Sequence, residues 1–231
     1  MTDVSMLKEN LNKINERLRR AAAKRGVSPE EITLVAVTKT VPTETINAAH
    51  QLGINNFGEN RVQEALSKID FLPGGIRLHF IGHLQSNKVR HVVPVFDLIH
   101  SLDSIKLAGV IQKEGEKRDK KVNVLLQVNI GDEKSKFGFK REEVEDALVE
   151  LATYRNLKVL GLMTVAPFLP DPEEVRPYFR LLYQLFKSIK IPGIEMKYLS
   201  MGMSNDFEVA VEEGANMVRL GTALFGDRLK K

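Results

Sequence analysis

Lys39 ends the run ITLVAVTK, residues 32–39, a short apolar segment rich in β-branched residues that reads as a buried strand. Side chains alternate along a strand, so Ile32, Leu34, Ala36 and Thr38 face one way and Thr33, Val35, Val37 and Lys39 the other. An ammonium on the valine face is partly desolvated, which favours its neutral form and frees an amine to attack a carbonyl. The plainer alternative is a strand-end lysine whose stem lies on apolar surface while its head reaches water. Arg219 is the second residue with chemical promise. It lies inside the apolar run MVRLGTALF, facing with Met217 and Gly221, and a buried guanidinium needs an acceptor. An ion pair to an acidic neighbour across the fold would also satisfy it.

Two glycine-containing turns complete the set. One is SMGMSN, residues 200–205, in which Ser204 is expected to cap the following helix. The other is Gly221-Thr222-Ala223. Exposed backbone N–H groups at such turns bind phosphate, and glycine lets the backbone come close to the oxygens. Ser200 and Thr222 add hydroxyl donors. Either turn alone is ordinary cap chemistry; the pair is more telling. An imine-forming lysine, a phosphate cradle and an arginine are what a pyridoxal 5′-phosphate site needs. Lys39 would form a Schiff base with the aldehyde carbon, the cradle would hold the phosphate, and Arg219 would face the pyridine nitrogen.

The elements that must position these residues alternate. An amphipathic helix is predicted over residues 5–24, with Leu7, Leu11, Ile14, Leu18 and Ala21/Ala22 on one face and Gly26 as the stop. Strands are predicted at 32–39, 55–60, 77–84, 98–102, 123–130, 157–165, 198–202 and 217–220, each followed by a helical segment. Eight strand–helix units in 231 residues predict a (β/α)₈ TIM barrel. A doubly wound open sheet is the alternative, weakened because no G-x-G-x-x-G follows the first strand. We expect one domain over residues 1–231, with residues 1–26 packing on the barrel. Sites in such barrels lie at the C-terminal ends of the strands. There the chain offers Lys39, Gly58-Glu59-Asn60, Gly82-His83, Ser101, Asn129, Met163-Thr164, Ser200-Met201-Gly202 and Arg219-Leu220-Gly221, a ring too polar for a packed interior.

The bulk numbers exclude several classes. A net charge of +4 argues against a dedicated nucleic-acid binder. The absence of cysteine removes disulfides, thiol catalysis and Cys-ligated zinc. No apolar h-region or run of about 18 apolar residues is seen, so neither secretion nor a membrane span is expected, and the cytoplasm is. His79 and His83 would be about 13 Å apart along a strand, too far to share a metal ion. Lys134 and Lys136, in the loop after the fifth strand, read as a solvated loop or a lid.

The motifs LVAVTK, FGENRVQE, HFIGHLQSNK, SKFGF, GLMTV, SMGMSNDFEVAVEEG and VRLGTALFG together resemble the pyridoxal phosphate homeostasis proteins (YggS/PROSC type), relatives of the alanine racemase N-terminal barrel. The resemblance covers nearly the whole chain. It implies a fold-type III barrel carrying pyridoxal phosphate on Lys39, with Ser200, Gly202, Gly221 and Thr222 at the phosphate, Arg219 at the ring nitrogen, and Asn60 and His83 lining the ring. It implies a carrier or buffer of the cofactor, acting in vitamin B6 and amino-acid homeostasis, with recipient apoenzymes as partners and no catalysis of its own. The alternative is a racemase-like enzyme of low activity; a Schiff-base aldolase is disfavoured because the sixth strand carries its lysine, Lys158, at the wrong end. Two-base racemisation needs a second acid/base group. Tyr154, Tyr178, Tyr183 and Tyr198 are expected in helices or at a strand start, and the barrel is expected to be open and monomeric.

Overall fold

The structure, a computed structural model, describes residues 4–133 and 136–226. Lys134 and Ser135 of the fifth-strand loop lie outside the described residues.

Eight strands pair side by side, all parallel, and close on themselves: β1 (Thr33–Val37), β2 (Asn56–Glu59), β3 (Arg77–Phe80), β4 (Leu98–Leu102), β5 (Val122–Gln127), β6 (Leu157–Met163), β7 (Tyr198–Ser200) and β8 (Met217–Leu220). The ring shuts where Val35 of β1 pairs with Arg219 of β8. Between and around the strands run α1 (Val4–Arg25), α2 (Thr43–Gln51), α3 (Val62–Lys68), α4 (Val89–Val92), α5 (Ile105–Lys117), α6 (Val144–Leu151), α7 (Arg176–Ser188), α8 (Phe207–Glu212) and α9 (Thr222–Phe225). This is the (β/α)₈ barrel with an added N-terminal helix that the alternation predicts.

Two apolar clusters follow from the alternation of side chains. Val35, Leu98, Leu125, Leu160, Met163 and Met217 meet inside the barrel. The larger cluster lies between strands and helices, where Ala36, Phe57, Phe80, Ile99 and Leu162 meet Ile46, Val92, Ile111, Leu148 and Phe179. Burying a side chain of this size stabilises by about 1.5–3 kcal/mol.

α1 presents Leu7, Leu11, Ile14, Leu18, Ala21 and Ala22 at helical spacing and buries all six. It ends at Gly26, which takes φ +75°, a left-handed conformation that glycine adopts at helix ends. Its partners are the last units. Arg17 pairs with Glu208 at 2.7 Å, Lys24 with Glu212 at 2.7 Å, and Asn10 Nδ2 donates to the Leu224 carbonyl at 3.1 Å.

Several strands stop earlier than predicted. β3 ends at Phe80 rather than residue 84, β5 at Gln127, β6 at Met163 and β7 at Ser200. The apolar pattern continues past each end because the following loop also buries side chains: Leu84, Val128, Ala166 and Met201 join the larger cluster. Ser204 is not a helix cap; Asp206 takes that position before α8.

Candidate functional site

The first strand delivers Lys39 to the C-terminal mouth. Val35 packs inside the barrel, and Val37 and Lys39, at the same phase, line a cavity of about 250 Å³ with Pro167, Phe168, Asp206 and Arg219. Lys39 itself is half-buried, two residues past the end of β1. The alternate residue Thr38 points outward. Its hydroxyl donates to Glu59 Oε1 at 2.8 Å, and its carbonyl accepts from Lys68 Nζ at 2.8 Å. Lys68 also contacts Glu59 Oε1 at 3.0 Å and Glu64 Oε1 at 2.6 Å, while Glu64 accepts from the Thr40 amide. The turn carrying Lys39 is thus held from behind by three charged side chains.

Glu59 therefore belongs to this outer cluster and not to the polar ring expected at the mouth. It is 3% exposed, and burial raises its carboxyl above the usual range against the opposing pull of Lys68.

β8 delivers Arg219 to the same cavity. Its side chain is 4% exposed, with Nη1 donating to Ser200 Oγ and Nη2 to the Thr164 carbonyl, both at 2.7 Å. Its bonded acceptors are neutral. Burial lowers its pKa to about 10, opposed by the charge of Asp206. Asp206, itself raised by burial, accepts from the Met203 amide at 2.6 Å.

Gly221 and Thr222 line the same cavity, where Ser204 does what its expected capping role did not anticipate. The amides of Gly221 and Ala223 both donate to Ser204 Oγ, at 3.2 and 3.1 Å. With both N–H groups on its oxygen, Ser204 keeps its own O–H to donate into the cavity it lines. Ser200 and Gly202 are enclosed and line neither mouth cavity. Ser200 holds Arg219, and the Gly202 carbonyl accepts from the Arg219 amide at 3.0 Å.

Asn60 and His83 line a second cavity, also of about 250 Å³, with Gln127, Asn129, Lys136 and Phe137. His83 stacks on Phe137 with ring centres 3.6 Å apart, and its Nδ1 lies 3.1 Å from Asp103. Asn60 Oδ1 is enclosed with no hydrogen-bond partner among the described residues. Lys136 contacts Glu133 at 2.5 Å and the Val165 carbonyl at 3.3 Å. The structure so divides the predicted residues: Lys39, Arg219, Gly221 and Thr222 share one cavity, Asn60 and His83 another.

None of the four tyrosines lines either cavity. Tyr198 lies at the opposite mouth, and the Tyr154 hydroxyl donates to Glu150 at 3.2 Å. Among the described residues no helix is long and apolar enough to cross a membrane, and no three potential metal ligands cluster.

Comparison with known proteins shows the family. Residues 3–229 match the family described as alanine racemase, N-terminal domain. A pyridoxal phosphate homeostasis protein of Aquifex aeolicus is 44% identical over 222 residues, covering 95% of this chain and 97% of its own. A protein of Bifidobacterium adolescentis, described only as an unknown protein, superposes with TM-score 0.91 at 33% identity, over 96% of this chain and 95% of its own. PipY of Synechococcus elongatus, solved with PLP bound, superposes with TM-score 0.77 at 35% identity, over 92% of this chain and all of its own. A closed parallel barrel, a lysine at the end of its first strand and these identities across almost the full length lead to one assignment: the chain belongs to the pyridoxal phosphate homeostasis protein family, whose barrel is that of the alanine racemase N-terminal domain.

Proposed function

We propose that this chain binds pyridoxal 5′-phosphate in the Lys39–Arg219 cavity and acts as a carrier or buffer of the cofactor in vitamin B6 and amino-acid homeostasis. The observation that carries the reading is the shared cavity: a half-buried amine, a buried guanidinium with neutral bonded acceptors, and the Ser204 and Thr222 hydroxyls beside Gly221 line one space. Relatives named for this role, and PipY with PLP bound, support it.

The residues fit the group. The Gly221 and Ala223 amides hold Ser204 Oγ in place, and the Ser204 and Thr222 hydroxyls on the cavity wall would donate to a phosphate oxygen. Arg219 keeps a proton at its guanidinium, so it donates to a ring nitrogen rather than receiving from it. The bound cofactor would supply an aldehyde carbon, and Lys39 would hold it covalently through its amine, with water as the leaving group. Ser200 and Thr164 fix the plane of the guanidinium; Thr38, Glu59 and Lys68 fix the turn that aims Lys39.

In this reading the chain is not a catalyst. Apart from Lys39, the titratable groups on the cavity wall are Asp206, engaged by the Met203 amide, and Arg219. A second base of the kind racemisation requires is not among the described wall residues. The closed ring leaves no strand edge for pairing with a second copy; in this reading the chain is a cytoplasmic monomer that hands the cofactor to recipient apoenzymes.

The test is an absorbance spectrum of the protein with added pyridoxal phosphate, then borohydride reduction and peptide mapping. The expected result is an imine band and a phosphopyridoxyl adduct on Lys39. An adduct elsewhere, or no band, would overturn the assignment.

A further inference from the structure

A single file of hydrogen bonds runs through the inside of the barrel, and nothing in the proposed cofactor site requires its full length. Arg219 Nη1 donates to Ser200 Oγ at 2.7 Å. Ser200 Oγ lies 3.1 Å from His100 Nδ1, His100 Nε2 lies 2.9 Å from His79 Nδ1, and His79 Nε2 lies 3.1 Å from Asn56 Oδ1. His100 and Ser200 are 0% exposed, His79 3%. The file starts beside the Lys39 cavity and ends at a cavity of about 230 Å³ at the opposite mouth, lined by Asn56, Arg77, His79, Asp97, Asn123 and Tyr198.

The ends fix its direction. A guanidinium can only donate, and an amide oxygen can only accept. With both imidazoles neutral, each holds one N–H and one lone pair, so every link has one proton in only one arrangement. Ser200 accepts from Arg219 and donates to His100 Nδ1. His100 Nε2–H donates to His79 Nδ1, and His79 Nε2–H donates to Asn56 Oδ1. Burial favours that neutrality: it lowers His79 to about 4 and His100 well below the ordinary histidine value. The charged groups at the ends agree, since Arg77 at the lower end and Arg219 at the upper both oppose a charged imidazole. Asp97, at the lower mouth, is engaged by the Leu78 amide at 2.7 Å, and Asp206 by the Met203 amide.

We infer that His100 and His79 are positioning residues for Arg219: through Ser200 they hold its guanidinium at the angle and height from which it meets the cofactor's ring nitrogen. The inference rests on the cofactor reading above. Ser200 alone, with a freely rotating hydroxyl, would not fix the guanidinium. With its proton committed to His100, its lone pairs point to Arg219, and the commitment of His100 depends in turn on His79.

The test has two arms. In the cofactor-free protein, nitrogen NMR of labelled histidines is expected to show His79 and His100 both carrying hydrogen on Nε2 and failing to titrate where an ordinary histidine does. Hydrogen on Nδ1 of either, or ordinary titration, overturns the file. In the loaded protein, the side chains of His79→Leu and His79→Asn share one branched shape at Cγ, but only His79→Asn keeps an oxygen where Nδ1 accepts from His100. His79→Leu is expected to release pyridoxal phosphate about fivefold faster, the size of one net hydrogen bond, with a displaced visible band. His79→Asn is expected to stay within about twofold of the unaltered protein, a small fraction of one such bond. If the two variants behave alike, the histidines are merely core and the inference falls alone. If the unaltered chain forms no Lys39 adduct, the cofactor reading falls and takes the inference with it.

Discussion

Val35 of β1 stands opposite Arg219 of β8 in the ladder that closes the barrel. Lys39 is two inward-facing positions further on, just past the end of β1, so the amine sits at the mouth while the guanidinium lies a level below it. That offset lets one cavity present an attacking group at its rim and a donor at its floor. Lys39→Ala is expected to abolish the borohydride adduct and the imine band while changing unfolding free energy by less than about 1 kcal/mol, because the side chain lines a cavity and fills no core. Mass mapping and denaturant unfolding check both halves.

Arg219→Ala should be costly in both respects. It leaves the enclosed Thr164 carbonyl without a donor and Ser200 Oγ with His100 alone. Leaving such a carbonyl unsatisfied costs about 1–3 kcal/mol, and a loss of that size is expected in urea unfolding, with weakened cofactor binding.

Ser204→Ala separates binding from folding. The Gly221 and Ala223 amides lose their shared acceptor, but at a half-buried site water replaces it. Stability should change by less than about 1 kcal/mol, while affinity for pyridoxal phosphate falls by about tenfold, the loss of one charge-assisted contact. Titration by absorbance measures it.

Lys68→Met strips the buried Glu59 of its cationic neighbour, a change that typically costs about 3–5 kcal/mol at neutral pH. The sign of its pH dependence follows from burial. Glu59 is already raised above the ordinary carboxylate value, and losing Lys68 raises it further. The folded state then binds a proton that the unfolded state does not. Stability is highest below the ordinary glutamate pKa and falls as pH rises through the folded one. The defect of Lys68→Met should therefore shrink on acidification, and Glu59→Gln in the same background should remove that recovery.

Gly202→Ala tests the wall behind Arg219. Gly202 has φ +91°, and a Cβ there would stand 2.5 Å from Ala210 Cβ and 3.0 Å from Phe207 Cα. Strain and overlap together should cost about 2–4 kcal/mol, read as a lowered midpoint of unfolding.

How much of this could be read from the chain depends on how local the signal is. Lys39 was legible because alternation is a property of one strand, and Val35 and Val37 carry its phase. The same rule, applied to Asn56 and Gly58, places Glu59 on the outer face; treating residues 58–60 as one inward group hid that. Ser204 looked like a cap because a serine before a helix usually is one, whereas its partners are in a turn 17 and 19 residues later. The file from Asn56 to Arg219 was invisible for the same reason. His79 and His100 are 21 residues apart, and His100 and Ser200 100 apart. Only the register of neighbouring strands and the closure of the ring bring them together.

The clasp of α1 on the last two units sets a timetable for the newborn chain. Its ion pairs to Glu208 and Glu212 join residues 191 and 188 positions apart. Contacts so distant carry a large loop-closure cost and form late. At a synthesis rate of about 5–20 residues per second, the oily stripe of α1 waits roughly 10–40 s for its partner to be made. During that interval the apolar face of the helix has no finished surface to cover it.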